Sequence, residues 1–168
     1  GAFYNGEVDE AVFIGFNAGG DGTTETGANG AVGIGKSALN NLTSGAGNTA
    51  IGFTAGQDVT TGANNTLVGY EAGNTGVGDI VGGQANTIIG SEASAGDASA
   101  INRTAIGRTT VAVADNSVTL GNANVTAIYA AQDRGATIYA AGLVEGSSMT
   151  LKENIAEIES PLDKLTKL

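Results

Sequence analysis

The segment GAVGIGKS (30–37) has the spacing G-x-x-x-x-G-K-[ST] of a phosphate-binding loop. Such a loop cradles phosphate in successive backbone N–H groups, and it needs a buried strand before it and a long helix after it. The residues that follow, ALNNLTSGAG, are no such helix, and Gly35 belongs to a wider series of glycines described below. The segment therefore reads as part of a repeat, with Lys36 and Ser37 at variable positions, and no nucleotide is expected. Asp9, Glu10, Asp21 and Glu25 could gather a cation, but they lack the D-x-[DN]-x-[DN]-G spacing of a calcium loop and read as a solvated surface. The chain has no histidine and no cysteine. That excludes thiolate and imidazole metal sites, histidine acid–base catalysis and the Ser-His-Asp arrangement. No cofactor and no metal are expected. The sequons at Asn41-Leu42-Thr43 and Asn102-Arg103-Thr104 read as turn and strand chemistry.

The composition is that of a repetitive β structure. Of 168 residues, 28 are glycine, one is proline, and charged residues make up only 14 %, against about 25 % in average soluble domains. A disordered chain is usually charge-rich and poor in β-branched residues, whereas here Ile, Val and Thr recur regularly. The net charge of −10 works against nucleic acid and anionic membranes, which are recognised by clustered Lys and Arg. No apolar run approaches the ~20 residues of a membrane span. Residue 1 is Gly and no signal peptide follows it, so the sequence reads as the inside of a longer polypeptide.

One unit recurs: a β-branched residue, a variable one, an aliphatic one, Gly, two variable residues, then a small one. It appears as VFIGFNA (12–18), VGIGKSA (32–38), TAIGFTA (49–55), TLVGYEA (66–72), TIIGSEA (87–93) and TAIGRTT (104–110), with a weaker copy, VTLGNAN, at 118–124. The marker glycines Gly15, Gly35, Gly52, Gly69, Gly90, Gly107 and Gly121 are separated by 20, 17, 17, 21, 17 and 14 residues. The residue before each glycine is aliphatic (Ile14, Ile34, Ile51, Val68, Ile89, Ile106, Leu120). Two positions earlier it is β-branched (Val12, Val32, Thr49, Thr66, Thr87, Thr104, Val118). A spacing of two places both on one face of a strand. The constancy of that face marks it as the inner one, and the position between, which ranges from Phe13 to Gly33 to Thr119, as the opposite face. The small residues Ala18, Ala38, Ala55, Ala72, Ala93 and Thr110 follow three positions after the glycine, and turn-formers such as GGDGTTETGANG (19–30) and TTGANN (60–65) close each unit. The period is too short for a β-α-β unit. It fits one coil of a parallel β-solenoid or β-roll of about seven strands each of about five residues, with coils ~4.8 Å apart.

Two inward aliphatic or β-branched residues and an alanine per coil bury too little to order about 17 residues. The expectation is that copies of the chain share burial through the second face (Phe13, Ala50, Leu67, Ile88, Ala105), giving a homotrimer. Stacked threonines along a flat face would suit ice or a regular polysaccharide, a reading set aside because Thr49, Thr66, Thr87 and Thr104 are taken to point inward.

The units GNTAIGFTAG (47–56), NNTLVGYEAG (64–73) and DNSVTLGNANVTAIYA (115–130) resemble repeats of bacteriophage tail fibres and tailspikes. They are also similar to the NSVAIG-type repeats of trimeric autotransporter adhesin heads, which form parallel β-rolls packed as trimers. The tail SSMTLKENIAEIESPLDKLTKL (147–168) resembles the opening of the endosialidase-type intramolecular chaperone domain, whose usual start is S-D-x-R-L-K-E-N-I. LKENI (151–155) is intact, while Ser148 stands where Asp is usual and Thr150 where Arg is usual. The resemblance implies a domain that directs trimer assembly and can cut itself off through a serine and a lysine, here Ser147 and Lys152, at the Gly146–Ser147 bond. A lysine acting as base must be held neutral by burial or a neighbouring cation.

The tail also carries its own helix signals. Thr150/Glu153 and Ser160/Asp163 have capping-box spacing, and Pro161 sits at a first helical position. Leu151, Ile155, Ile158, Leu162 and Leu165 are spaced 4, 3, 4 and 3. Two short helices, 151–159 and 161–168, are expected, their stripe packing either in a three-fold bundle or against its own chain.

The expected organisation is an all-β, trimeric repeat region over 1–130, a β connector over 131–146 and a truncated chaperone start over 147–168. The expected role is structural and not enzymatic, apart from one self-cleavage in a longer parent. It is an extracellular fibre of a virion that contacts a host receptor or glycan and other tail proteins. A bacterial adhesin head and the non-catalytic stem of an enzyme-bearing tailspike are the alternatives.

Overall fold

The computed structural model describes residues 10–20, 28–76 and 78–129. The chain divides into two units, 1–127 and 128–168, and every described strand lies in the first. Ser147, Lys152, the connector at 131–146, the helices expected at 151–159 and 161–168, and Asp9, Asp21 and Glu25 lie outside the described residues.

Each repeat unit forms one short strand: β1 (Val12–Ile14), β2 (Val32–Ile34), β3 (Thr49–Ile51), β4 (Thr66–Val68), β5 (Thr87–Ile89), β6 (Arg103–Ile106) and β7 (Ser117–Leu120). The strands are three or four residues long, shorter than expected, because the glycine that follows breaks the extended backbone. They build one parallel sheet in sequential order β1 to β7, a β-solenoid with one turn between successive strands. The register pairs like with like: Thr49 with Thr66, Ile51 with Val68, Thr87 with Thr104, Ile89 with Ile106. Even the weak seventh copy pairs, Val118 with Thr104 and Leu120 with Ile106. The described residues contain no helix.

The marker glycine is required by close stacking of the turns. At Gly69 φ is +138°, and a Cβ there would stand 2.5 Å from the carbonyl oxygen of Gly90 in the next turn. No side chain fits between those backbones, so the glycines form a column.

The structure reverses the expected faces. The middle residue of each strand points into the coil: Ala50, Leu67, Ile88 and Ala105 are fully buried, Gly33 is buried, and Phe13 packs against the same core. The regular Val/Thr and Ile rows lie on the outside. The physical reason is the narrowness of the coil, which accepts one medium side chain per strand and fills the rest from the return segments. Where the strand gives only Gly33 and Ala50, the interior is filled by Leu39, Leu42 and Val59; where it gives Leu67 and Ile88, the small Ala72 and Ala93 share the space with Ile80. Size varies at the inner strand position because it is compensated in neighbouring turns. A Cβ on Gly33 would meet the Phe13 ring at 2.8 Å. The small residues Ala18, Ala38, Ala55, Ala72, Ala93 and Thr110 are all fully buried, on the inner side where the repeat places them.

A polar ladder runs beside this core. Asn48, Asn65 and Asn86 are fully buried in successive turns. Asn65 donates from its backbone N–H and its Nδ2 to Asn48 Oδ1, both at 3.0 Å, and its Nδ2 also donates to the Gly83 carbonyl at 2.8 Å. Asn86 repeats the pattern against Asn65 and Ala100. The ladder ends where Arg103 takes the asparagine position: its N–H donates to Asn86 Oδ1, and its guanidinium turns aside to Asp115 and the Ala95 carbonyl. Each amide satisfies backbone groups that burial would otherwise leave unpaired at about 1–3 kcal/mol apiece.

Candidate functional site

The outward face of the sheet is a regular surface. Register places Val12, Val32, Thr49, Thr66, Thr87, Thr104 and Val118 in one row and Ile14, Ile34, Ile51, Val68, Ile89, Ile106 and Leu120 in a second. Six inter-strand steps at ~4.8 Å make the face about 29 Å long. Ile14 is 58 % exposed, Ile106 41 % and Val118 65 %. A regular apolar stripe of this length on one side of a chain is a candidate interaction surface. The outward Thr49, Thr66, Thr87 and Thr104 overturn the inward placement on which the ordered-lattice reading was set aside. Here their hydroxyl row runs alongside a hydrocarbon row.

A second column follows the glycines: Phe16, Lys36, Phe53, Tyr70, Ser91 and Arg108. Phe53 and Tyr70 stack with ring centroids 5.3 Å apart and an interplanar angle of 7°, and Lys36 Nζ lies 5.4 Å from the Phe53 ring centre. Lys36 thus makes a cation–π contact, within a solenoid turn and with no helix beside it, so the motif at 30–37 is repeat geometry. Residues 17, 37, 54, 71, 92 and 109 all take left-handed backbone angles, from φ 50° at Thr54 to 58° at Glu92.

Charged groups are few among the described residues. A hydrogen bond to Glu71 and the charges of Glu71 and Glu92 raise the Tyr70 phenol above its ordinary pKa. The Ile101 N–H, and then Arg103, hold Asp115 below the usual carboxylate range. Glu92 lies 3.7 Å from Arg108. Glu10 is exposed with φ 64°, and no three His, Cys, Asp or Glu side chains among the described residues converge on a metal position. No helix among them is long and apolar enough to cross a membrane.

The sequence reading named all fourteen glycine and aliphatic repeat positions, and the structure aligns them in two columns. It missed the asparagine ladder, although Asn48, Asn65 and Asn86 each stand directly before the threonine of their unit. No family model, curated protein or solved structure matches the chain.

Proposed function

We propose that the solenoid is a stretch of a homotrimeric fibre in which three copies turn their outward rows toward a common axis. The observation that carries this reading is the regularity of the exposed face: the interior is filled by Phe13, Leu39, Leu42, Leu67, Ile80 and Ile88 without it. A row of Ile, Val and Leu maintained across seven strands therefore needs a partner outside the chain. A copy of the same chain offers the same row at the same inter-strand step, so three faces can meet without any change of register. The repeat units that resemble phage tail-fibre and autotransporter-head repeats, and the intact LKENI after them, favour three copies and a virion fibre or tailspike. Such a fibre projects from the particle and meets its host with three equal surfaces, where avidity offsets weak single contacts. On the same reading Ser147 and Lys152 serve one self-cleavage.

The double variant Ile51→Lys/Ile89→Lys tests the interface. Lysine is tolerated on an exposed strand face but not where three copies converge. The expected outcome is a monomer in sedimentation equilibrium with an unchanged β circular-dichroism spectrum; an unchanged assembly state would refute the interface. For the tail, the intact mass of a longer parent chain is expected to show a break at Gly146–Ser147, abolished by Ser147→Ala.

A further inference from the structure

The turn between β4 and β5 is four residues longer than its neighbours, since 21 residues separate Gly69 from Gly90 while 17 separate Gly52 from Gly69. The longer turn stays partly on the coil, since Ile80 is fully buried and a Cβ on Gly78 would stand 2.5 Å from the Gly96 carbonyl carbon, and insertions in solenoid repeats map to one face, often the binding face. This one is braced. The Asp79 carboxylate accepts from the N–H groups of Thr75 and Gly76, and Ser94 Oγ donates to the Gly78 carbonyl at 3.2 Å, tying the insertion to the following turn. Between it and the next two turns lies an open recess of about 400 Å³ lined by Glu71, Thr75, Glu92, Ser94, Thr109 and Val111. That size is at the small end of ligand pockets.

The chemistry of the lining selects its occupant. Two carboxylates face it, while the Thr109 hydroxyl is engaged within the chain, donating to the Arg108 carbonyl and accepting from Asn122 Nδ2, both at 2.7 Å. A ligand must therefore bring donors. Val111, 53 % exposed, supplies an apolar side against which C–H groups can pack. Arg108 is the cation beside Glu92, so an anionic ligand would meet a net negative wall.

We propose that this recess is a subsite for one pyranose unit of a neutral or amine-bearing surface glycan, its hydroxyl or ammonium groups donating to Glu71 and Glu92. The proposal rests on the adhesive-fibre reading and names the class of its receptor. Its probes are methyl glucoside, N-acetylglucosamine, glucosamine and glucuronate, followed by saturation-transfer NMR and calorimetry on the wild-type chain. The first three are expected to bind saturably and glucuronate not. Glu71→Gln/Glu92→Gln should weaken binding on the order of tenfold or more, the loss expected of charge-assisted hydrogen bonds, with an unchanged circular-dichroism spectrum. Deleting residues 75–78, which restores the 17-residue spacing, should abolish binding and leave the assembly state intact. No saturable binding by any probe, equal binding by the double-Gln variant, or glucuronate bound as well as the neutral sugars would overturn the subsite. A monomeric wild-type chain that still binds the neutral sugars would support the subsite and overturn only the trimer.

Discussion

Gly69 and Gly76 both have positive φ, yet only one of them is walled in by a neighbour. A Cβ at Gly69 would stand 2.5 Å from the Gly90 carbonyl oxygen, while nothing lies within 4 Å of one at Gly76. Gly69→Ala should therefore lower stability by about 3 kcal/mol or more, combining backbone strain with a forced separation of turns. Gly76→Ala should cost only about 1–2 kcal/mol, the left-handed penalty alone. Denaturant melts of both variants check the contrast. Asn65 gives a second residue-scale test. Its Oδ1 accepts from two groups of Asn86 and its Nδ2 donates to Asn48 Oδ1 and Gly83. Asn65→Ala leaves buried partners unpaired and should cost about 3 kcal/mol or more. Asn65→Asp keeps the shape but replaces two donors with a buried charge. Burial raises that carboxyl's pKa in the folded state, so the variant's stability should be highest below ~pH 4, where the acid is protonated in both states, and fall as pH rises. Thermal melts between pH 3.5 and 7 show whether the sign is right.

The element scale shows what was legible in the sequence and what was not. Strand positions, register and the small inward residues after each glycine could be read because all three follow from a fixed period and the two-residue alternation of a strand. Which face pointed inward could not. A strand of three residues offers one position on one face and two on the other, and regularity alone does not say which of the two is the core. In this coil the regular face is the outer one. The core position varies because Phe13 covers Gly33, while Leu39 and Leu42 fill the space left by Gly33 and Ala50. That exchange takes place between turns, at distances along the chain that no local pattern records. The asparagine ladder was legible in principle from the recurrent Asn-Thr pair, but the same pair also describes an ordinary turn followed by a strand. Of the proposed recess only the 21-residue spacing beside it stands in the sequence; that Glu71 and Glu92 line one hollow depends on how successive turns stack.

For the whole molecule, the solenoid solves burial and leaves exposure unsolved. Stacking turns at ~4.8 Å closes an interior lined mainly by alanine and a few larger side chains, and it lays out two aligned rows on the outside. A lone chain would hold a hydrocarbon stripe about 29 Å long against water, whereas three copies sharing an axis would cover it with no new sequence. This is why the fibre reading depends on assembly more than on any single residue. Sedimentation equilibrium of the wild-type chain at micromolar concentration tests it most directly. The expected result is a single species of three times the 16.4 kDa chain mass, unchanged on dilution. A stable species at the mass of one chain, folded and with its Ile and Val rows open to solvent, would contradict it.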